Sequence, residues 1–352
     1  MRRHVTVGRD QSDDYPTIAE ALQRAGDGAV ITVRPGRYAE NLVVSRMVTI
    51  TAEGGRGTVE VAPRRGTVLQ VTAEAAKLSG IVLRGQDDDL PAVDVPRGQV
   101  ALENCEVSGA CWTALLTRDT GSLAMRDCRV VNPAGAGLVE TSSARSNIED
   151  CVLEHLGSSG VVIGENGDPT LRRCVIRDAR GNGVLANGRA RGTVDECTIS
   201  TTDKPGIALE QESATRVLRT TVRDAVVGVY VASAARTELA DCTVTDVSGH
   251  GIVLDSGTDP KLVRLSLIHM YKRQVPGLRR PLRRGVGRRL RGARLHPADR
   301  TRRRGRRRRT GRGVRRRVRP ARGARHQGQR RPGARRRQPV AAPGGDSRRR
   351  RV

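Results

Sequence analysis

Aromatic residues are nearly missing from this chain, which has no Phe, one Trp and four Tyr in 352 residues. A core must therefore be assembled from Val, Leu, Ile and Ala, and few side chains are left to stack on sugars. No apolar run approaches the roughly 20 residues that a helical membrane span needs, so no membrane partner is expected. The opening residues Met1–Asp10 contain basic side chains but no apolar stretch. That excludes a secretory signal and points to a cytoplasmic protein with reduced thiols. The pattern GxxxxGK[ST] is absent as well, which leaves ATP binding without support and no cofactor expected.

A formal charge of +27 suggests a nucleic-acid binder until the charge is located. Residues 275–352 hold 32 Arg against two acids, Asp299 and Asp346, a net of +30. Residues 1–274, with 32 bases and 35 acids, carry −3. Nucleic acid is thus a possible partner only through the Arg-rich tail. That tail lacks Phe, Tyr, Ile, Lys, Asn and Met, the profile of GC-rich DNA read in a wrong frame. Residues 265–274 back-translate to a segment whose two ends are inverted complements, similar to a transposase mosaic end. Residues 1–52 are therefore read as a cap and first coils, 53–264 as repeats, 265–274 as a junction, and 275–352 as an out-of-frame, disordered tail.

What the chain does have is a repeat. Gly137, Gly160, Gly183, Gly206, Gly228 and Gly251 recur every 22 or 23 residues, and Cys105, Cys128, Cys151, Cys174, Cys197 and Cys242 keep step, with Thr220 in the vacant slot. Apolar columns flank each cysteine, and the intervening segments are short, alternating and rich in β-branched residues. This is a solenoid signature, with each coil burying its inner face on the next. About 260 residues allow roughly ten such coils. The fold class expected is all-β, a right-handed parallel β-helix solenoid with a short N-terminal capping helix. The helix is expected where Ile18, Ala21, Leu22 and Ala25 share one face.

The segments TIAEAL, ITVRPGRYAENLVV and MVTITAEGG resemble the opening of pectin-lyase-like right-handed β-helices, in which a capping helix precedes a PGxYxE turn. More narrowly they are similar to β-helix regions upstream of AAA ATPases of the CbxX/CfqX type. The resemblance implies a missing downstream ATPase and makes this chain a truncated fragment. Polysaccharide lyases and hydrolases share the architecture, so carbohydrate is a possible partner. Two local matches point the same way: Gly249-His250-Gly251 resembles a polygalacturonase motif, and Gly192-Thr193-Val194-Asp195 the start of a pectinesterase motif. Both fall in repeat slots, and Asp195 belongs to a column Glu103, Arg126, Glu149, Arg172, Asp195 that suits a surface charge ladder.

After each repeat glycine the strand places an apolar residue in both of its first two columns. The second column, Val139, Val162, Leu185, Ala208, Tyr230 and Val253, must face outward if the first faces in. Such a stripe has no place for a catalytic pair and is expected to bind a protein partner or a second copy. The six stacked thiols are expected to act as a structural ladder of small apolar filler, because a straight column cannot converge tetrahedrally on zinc. Cys111 beside Trp112 has no neighbouring base or cation at a recognisable spacing. Asp87-Asp88-Asp89 reads as a solvated loop, since it lacks EF-hand spacing for calcium. The function expected from these residues is a non-catalytic β-helical scaffold or interaction module, not an enzyme; the alternatives are a carbohydrate-active β-helix enzyme and a basic-tail nucleic-acid binder.

Overall fold

In the computed structural model, residues 4–268 can be described; the Arg-rich segment 275–352 and all but the start of 265–274 lie outside the described residues. The described residues form a parallel β-solenoid with one short helix. A representative coil runs through the strands Ala136–Glu140, Asn147–Glu149 and Val152–Leu156, and the next coil begins at Val161. Stacked coils make one 20-stranded and one 11-stranded sheet. The larger sheet covers two faces of the coil, joined where the long strands Val93–Glu103 and Thr113–Arg126 turn the corner without a break.

Register follows the repeat. Leu138 pairs with Val161, then Val184, Ile207, Val229 and Ile252 in successive coils, all parallel. Inner positions alternate with outer ones, so Val, Leu and Ile at the inner positions fill one continuous core. The repeat glycines have a steric reason. A Cβ on Gly160, Gly183, Gly206 or Gly228 would overlap the side chain of Ile176, Ile199, Val222 or Val244 respectively, each from the third strand of that coil.

The corner before each thiol is a single residue in the left-handed region. Asn104, Asp127, Asp150, Arg173, Glu196 and Asp241 have φ between 51° and 58°, and Arg219, before Thr220, has φ 44°. The thiols that follow are buried and free. The Sγ of Cys128 donates to the Leu102 carbonyl of the preceding coil at 3.2 Å, and Cys174 does the same to Ile148 at 3.4 Å. Thr220 replaces sulfur with a hydroxyl that donates to Leu218 O at 2.8 Å and accepts from the Cys197 N–H at 3.3 Å. Hydrogen bonding along the ladder and burial hold the Cys105, Cys151 and Cys197 thiols above their usual range.

The helix Ile18–Arg24 packs on strands His4–Val7 and Leu42–Val44 with Ile18, Ala21 and Leu22 buried. Thr17 caps it through Oγ1, which accepts from Glu20 N at 3.2 Å. Glu40, the acid of the PGRYAE segment, accepts from the N–H groups of Ile18 (3.2 Å) and Ala19 (2.8 Å), and Tyr38 donates its hydroxyl to Arg34 O at 2.9 Å. The segment thus ties the first coil to orphan donors of the helix. Among the described residues, no helix is long and apolar enough to cross a membrane.

Candidate functional site

The outward column that is apolar from Val139 onward changes character when followed toward the N-terminus. Val139 pairs with Leu116, Leu116 with Asp94, Asp94 with Gln70, and Gln70 with Val43. Gln70 and Asp94 each stand between inward-facing apolar residues, Leu69 and Val71 in one coil, Val93 and Val95 in the next. They are therefore directed outward by the same alternation that makes the later stripe.

A second device aims a cation at this position. Val95 pairs with Thr117 but Arg97 pairs with Thr120, so Arg118 and Asp119 together oppose Pro96 in a β-bulge. Asp119 takes up the extra residue at φ 54°. The bulge turns Arg118 onto Asp94: Nε donates to Oδ1 and Nη2 to Oδ2, both at 3.0 Å. Gln70 Nε2 donates to the same Oδ2 at 3.2 Å, and Arg118 Nη1 donates to Asp119 at 3.0 Å. The Asp94 side chain is only 8% exposed. Its hydrogen bonds hold the Arg118 guanidinium above its usual range.

Around this pair lies an open groove of about 590 Å³ lined by Asn41, Val43, Thr67, Gln70, Asp89, Leu90, Pro91, Asp94, Trp112, Leu116 and Arg118. Trp112 is the only Trp of the chain and is 43% exposed. It is held by its backbone, where its N–H donates to Asp88 O at 3.3 Å and its carbonyl accepts from Ala136 N at 2.9 Å. Asp87 accepts from the N–H groups of Gly66 (2.8 Å) and Asp89 (3.2 Å), which hold its carboxyl below the usual range and fix the Asp87–Asp89 turn on the rim. The Asp89 carboxylate is exposed and has no hydrogen-bond or ion-pair partner among the described residues. A stacking ring, an amide, and one braced and one open carboxylate thus line one groove, the inventory that sugar hydroxyls and faces call for.

The model of the right handed beta helix region matches residues 79–181 and 113–266, which together span more than half of the chain. The chain belongs to this right-handed β-helix family. No curated protein matches the β-helix in sequence. Among solved structures it is similar to the A-module of mannuronan C-5 epimerase AlgE4 from Azotobacter vinelandii, at 14% identity and TM-score 0.54, covering 72% of this chain and 90% of that one. It is also similar to the pectin methylesterase of Aspergillus niger (16% identity, TM-score 0.42, covering 75% and 85%) and to pectate lyase Pel9A (12%, 0.47, 76% and 77%). Identities this low show a shared fold.

The expectation of a non-catalytic scaffold without enzyme activity is corrected here. The coil is shared with a mannuronan C-5 epimerase, and the outer column, apolar from Val139 onward and read as leaving no place for a catalytic pair, carries the polar residues Gln70 and Asp94 in the earlier coils. That reading rests on six coils marked by a repeat glycine. The earlier coils put Asn41, Val68, Ala92 and Ala114 in the glycine slot, so the glycine repeat does not mark the column there. The signal was present nonetheless, in the alternation Leu69-Gln70-Val71 and Val93-Asp94-Val95.

Val139, Val162, Leu185, Tyr230 and Val253 do lie in one outward line, half-buried by stacking, with Ala208 fully buried among them. His250 is exposed with no side-chain partner among the described residues. Asp195 accepts from Arg219 at 2.5 Å, while Arg126 pairs with Glu149 at 2.9 Å and Lys77 with Glu103 at 2.7 Å, so these acids belong to coil-to-coil ion pairs. Cys111 is fully buried and burial pushes its thiol up to about 11, which removes it as a nucleophile.

Proposed function

We propose that this β-helix is a carbohydrate-active enzyme that takes a glycan chain along the groove between Asn41 and Arg118. The observation that carries this reading is the placement of the only Trp, exposed, beside an outward carboxylate that is buried and braced by Arg118 and Gln70. Trp112 offers a face for a pyranose ring, and the side-chain carbonyls of Gln70 and Asn41 offer acceptors for hydroxyls, their amide nitrogens being held by Asp94 and by the Arg65 and Thr67 carbonyls. The similarity of the coil to a mannuronan C-5 epimerase supports the same class.

Between reaction types, hydrolysis fits these groups better than elimination. Elimination from a uronate needs a free cation for the substrate carboxylate and a base at the adjacent carbon, but the cation that lines the groove, Arg118, is engaged by Asp94 and Asp119. Hydrolysis uses a pair of carboxyl groups, and Asp89 and Asp94 are the two in the groove. Asp89, open to solvent, is the group able to exchange a proton with a bound chain, while Asp94 is the braced partner.

Release of reducing ends from a panel of polysaccharides, together with calorimetric binding of the corresponding oligomers, tests this. Trp112→Ala should weaken oligomer binding at least tenfold, and Asp89→Asn should abolish turnover while leaving the binding of uncharged oligomers. The reading fails if no polymer is bound or cut, or if His250→Ala abolishes turnover while Asp89→Asn does not.

We also propose that residues 265–352 are not the native continuation of the coil. The back-translation of 265–274 and the loss of six residue types after position 274 support this. A long-read genome with these codons uninterrupted and in frame would overturn it.

A further inference from the structure

The charge of the groove narrows its ligand further than the fold does, and the inference rests on the groove being a glycan site. Asp89 and Asp94 line it, Asp87 and Asp88 stand on its rim, and Asp119 closes the bulge end. Against these stand Arg118, already shared between Asp94 and Asp119, and Arg65 beside Asp87. The open carboxylate is Asp89, which no cation among the described residues neutralises. A polyuronate entering here would bring further negative charge against a surface that already has an excess. A polymer with one ammonium per ring would instead place a cation beside Asp89 while its ring faces stack on Trp112.

We propose that the groove selects a cationic amino-sugar polymer, of the polyglucosamine type, over neutral and uronate chains. The ammonium groups would also contact the exposed Trp112 face, where cation–π attraction adds to stacking.

The single Trp makes the test direct, because its fluorescence reports on the groove alone. Glucosamine, N-acetylglucosamine and galacturonate oligomers of equal length are titrated against the full chain at low and high salt. The expected result is that glucosamine oligomers perturb Trp112 with an affinity at least tenfold above the acetylated oligomers, an advantage that shrinks with added salt. Asp89→Asn should bring the two close to parity without altering the far-ultraviolet circular dichroism. Equal binding of the acetylated oligomers, or tighter binding of galacturonate, overturns the charge selection and leaves the glycan reading in place. If none of the three perturbs Trp112 or is bound by calorimetry, the glycan reading itself falls.

Discussion

The early coils, from Leu42 to Arg126, and the later ones, from Ala136 to Leu254, share a three-strand plan but use their outer column differently. In the later coils a repeat glycine lets the third strand's Ile or Val press against the first strand, and the outer column is apolar from Val139 to Val253. In the early coils the glycine slot holds larger residues, two strands run through a corner, and one of them carries a bulge. The irregular coils are the ones that hold Gln70, Asp94, Trp112 and Arg118. Strict repetition optimises burial of one coil on the next, whereas a binding groove requires one coil to differ from its neighbours.

The largest break in this comparison is expected from filling the glycine slot. Gly206→Val would drive its side chain into Val222 and the Gly228 carbonyl in a core with no room to yield. A loss of about 3 kcal/mol or more is expected, read as a lower denaturant midpoint. A valine already stands in the equivalent slot of an early coil, at Val68, where it is fully buried. An unchanged midpoint for Gly206→Val would mean that the glycine column has no packing role.

Nearly as large an effect is expected where the two regions meet. Glu140 points inward from the first regular coil, fully buried, next to Thr117 on the last irregular one. Thr117, Ser146 and the Ser142 N–H approach its carboxylate without closing a hydrogen bond of normal geometry. Burial raises its pKa from 4.5 to about 7. The folded state therefore holds a proton that the unfolded chain releases between these values, so this group's contribution to stability is full below pH 4.5 and falls until about pH 7. The fall amounts to about 3 kcal/mol at 1.36 kcal/mol per unit. Glu140→Gln should abolish it, so that the two proteins unfold alike at pH 4.5 and the variant is the more stable at pH 8. Parallel stability curves across that range would show that Glu140 is not the group responsible.

Much of the coil was legible because packing of identical rungs leaves a periodic trace. The glycine and thiol columns, the alternation within each strand, and the Ile18/Ala21/Leu22 face of the capping helix all reflect contacts repeated in sequence. The groove left no such trace. Asp94 and Gln70 are polar residues in a column whose period is visible only in later coils, and Arg118 reaches Asp94 only because one inserted residue re-aims it. Trp112 and its neighbour Cys111 point oppositely, the thiol buried and the indole exposed, and adjacency in sequence does not show this. A feature that departs from a repeat is invisible to a reading that extends the repeat.

The smallest expected effect compares one ion pair from each region. Asp94→Ala removes a side chain that is 8% exposed and receives two donors from Arg118 and one from Gln70. Hydrogen bonds to a charged group contribute about 1.5 to 3 kcal/mol when buried, and Arg118, itself 41% exposed, can turn to water, so a cost near 1.5 kcal/mol is expected. Arg145→Met in the later coils removes an exposed partner of Asp168 at 3.0 Å, and its midpoint should be indistinguishable from that of the parent protein. Equal costs at the two sites would mean that the bulge aims Arg118 for no energetic gain, and would weaken the case that the early coils were shaped around Asp94.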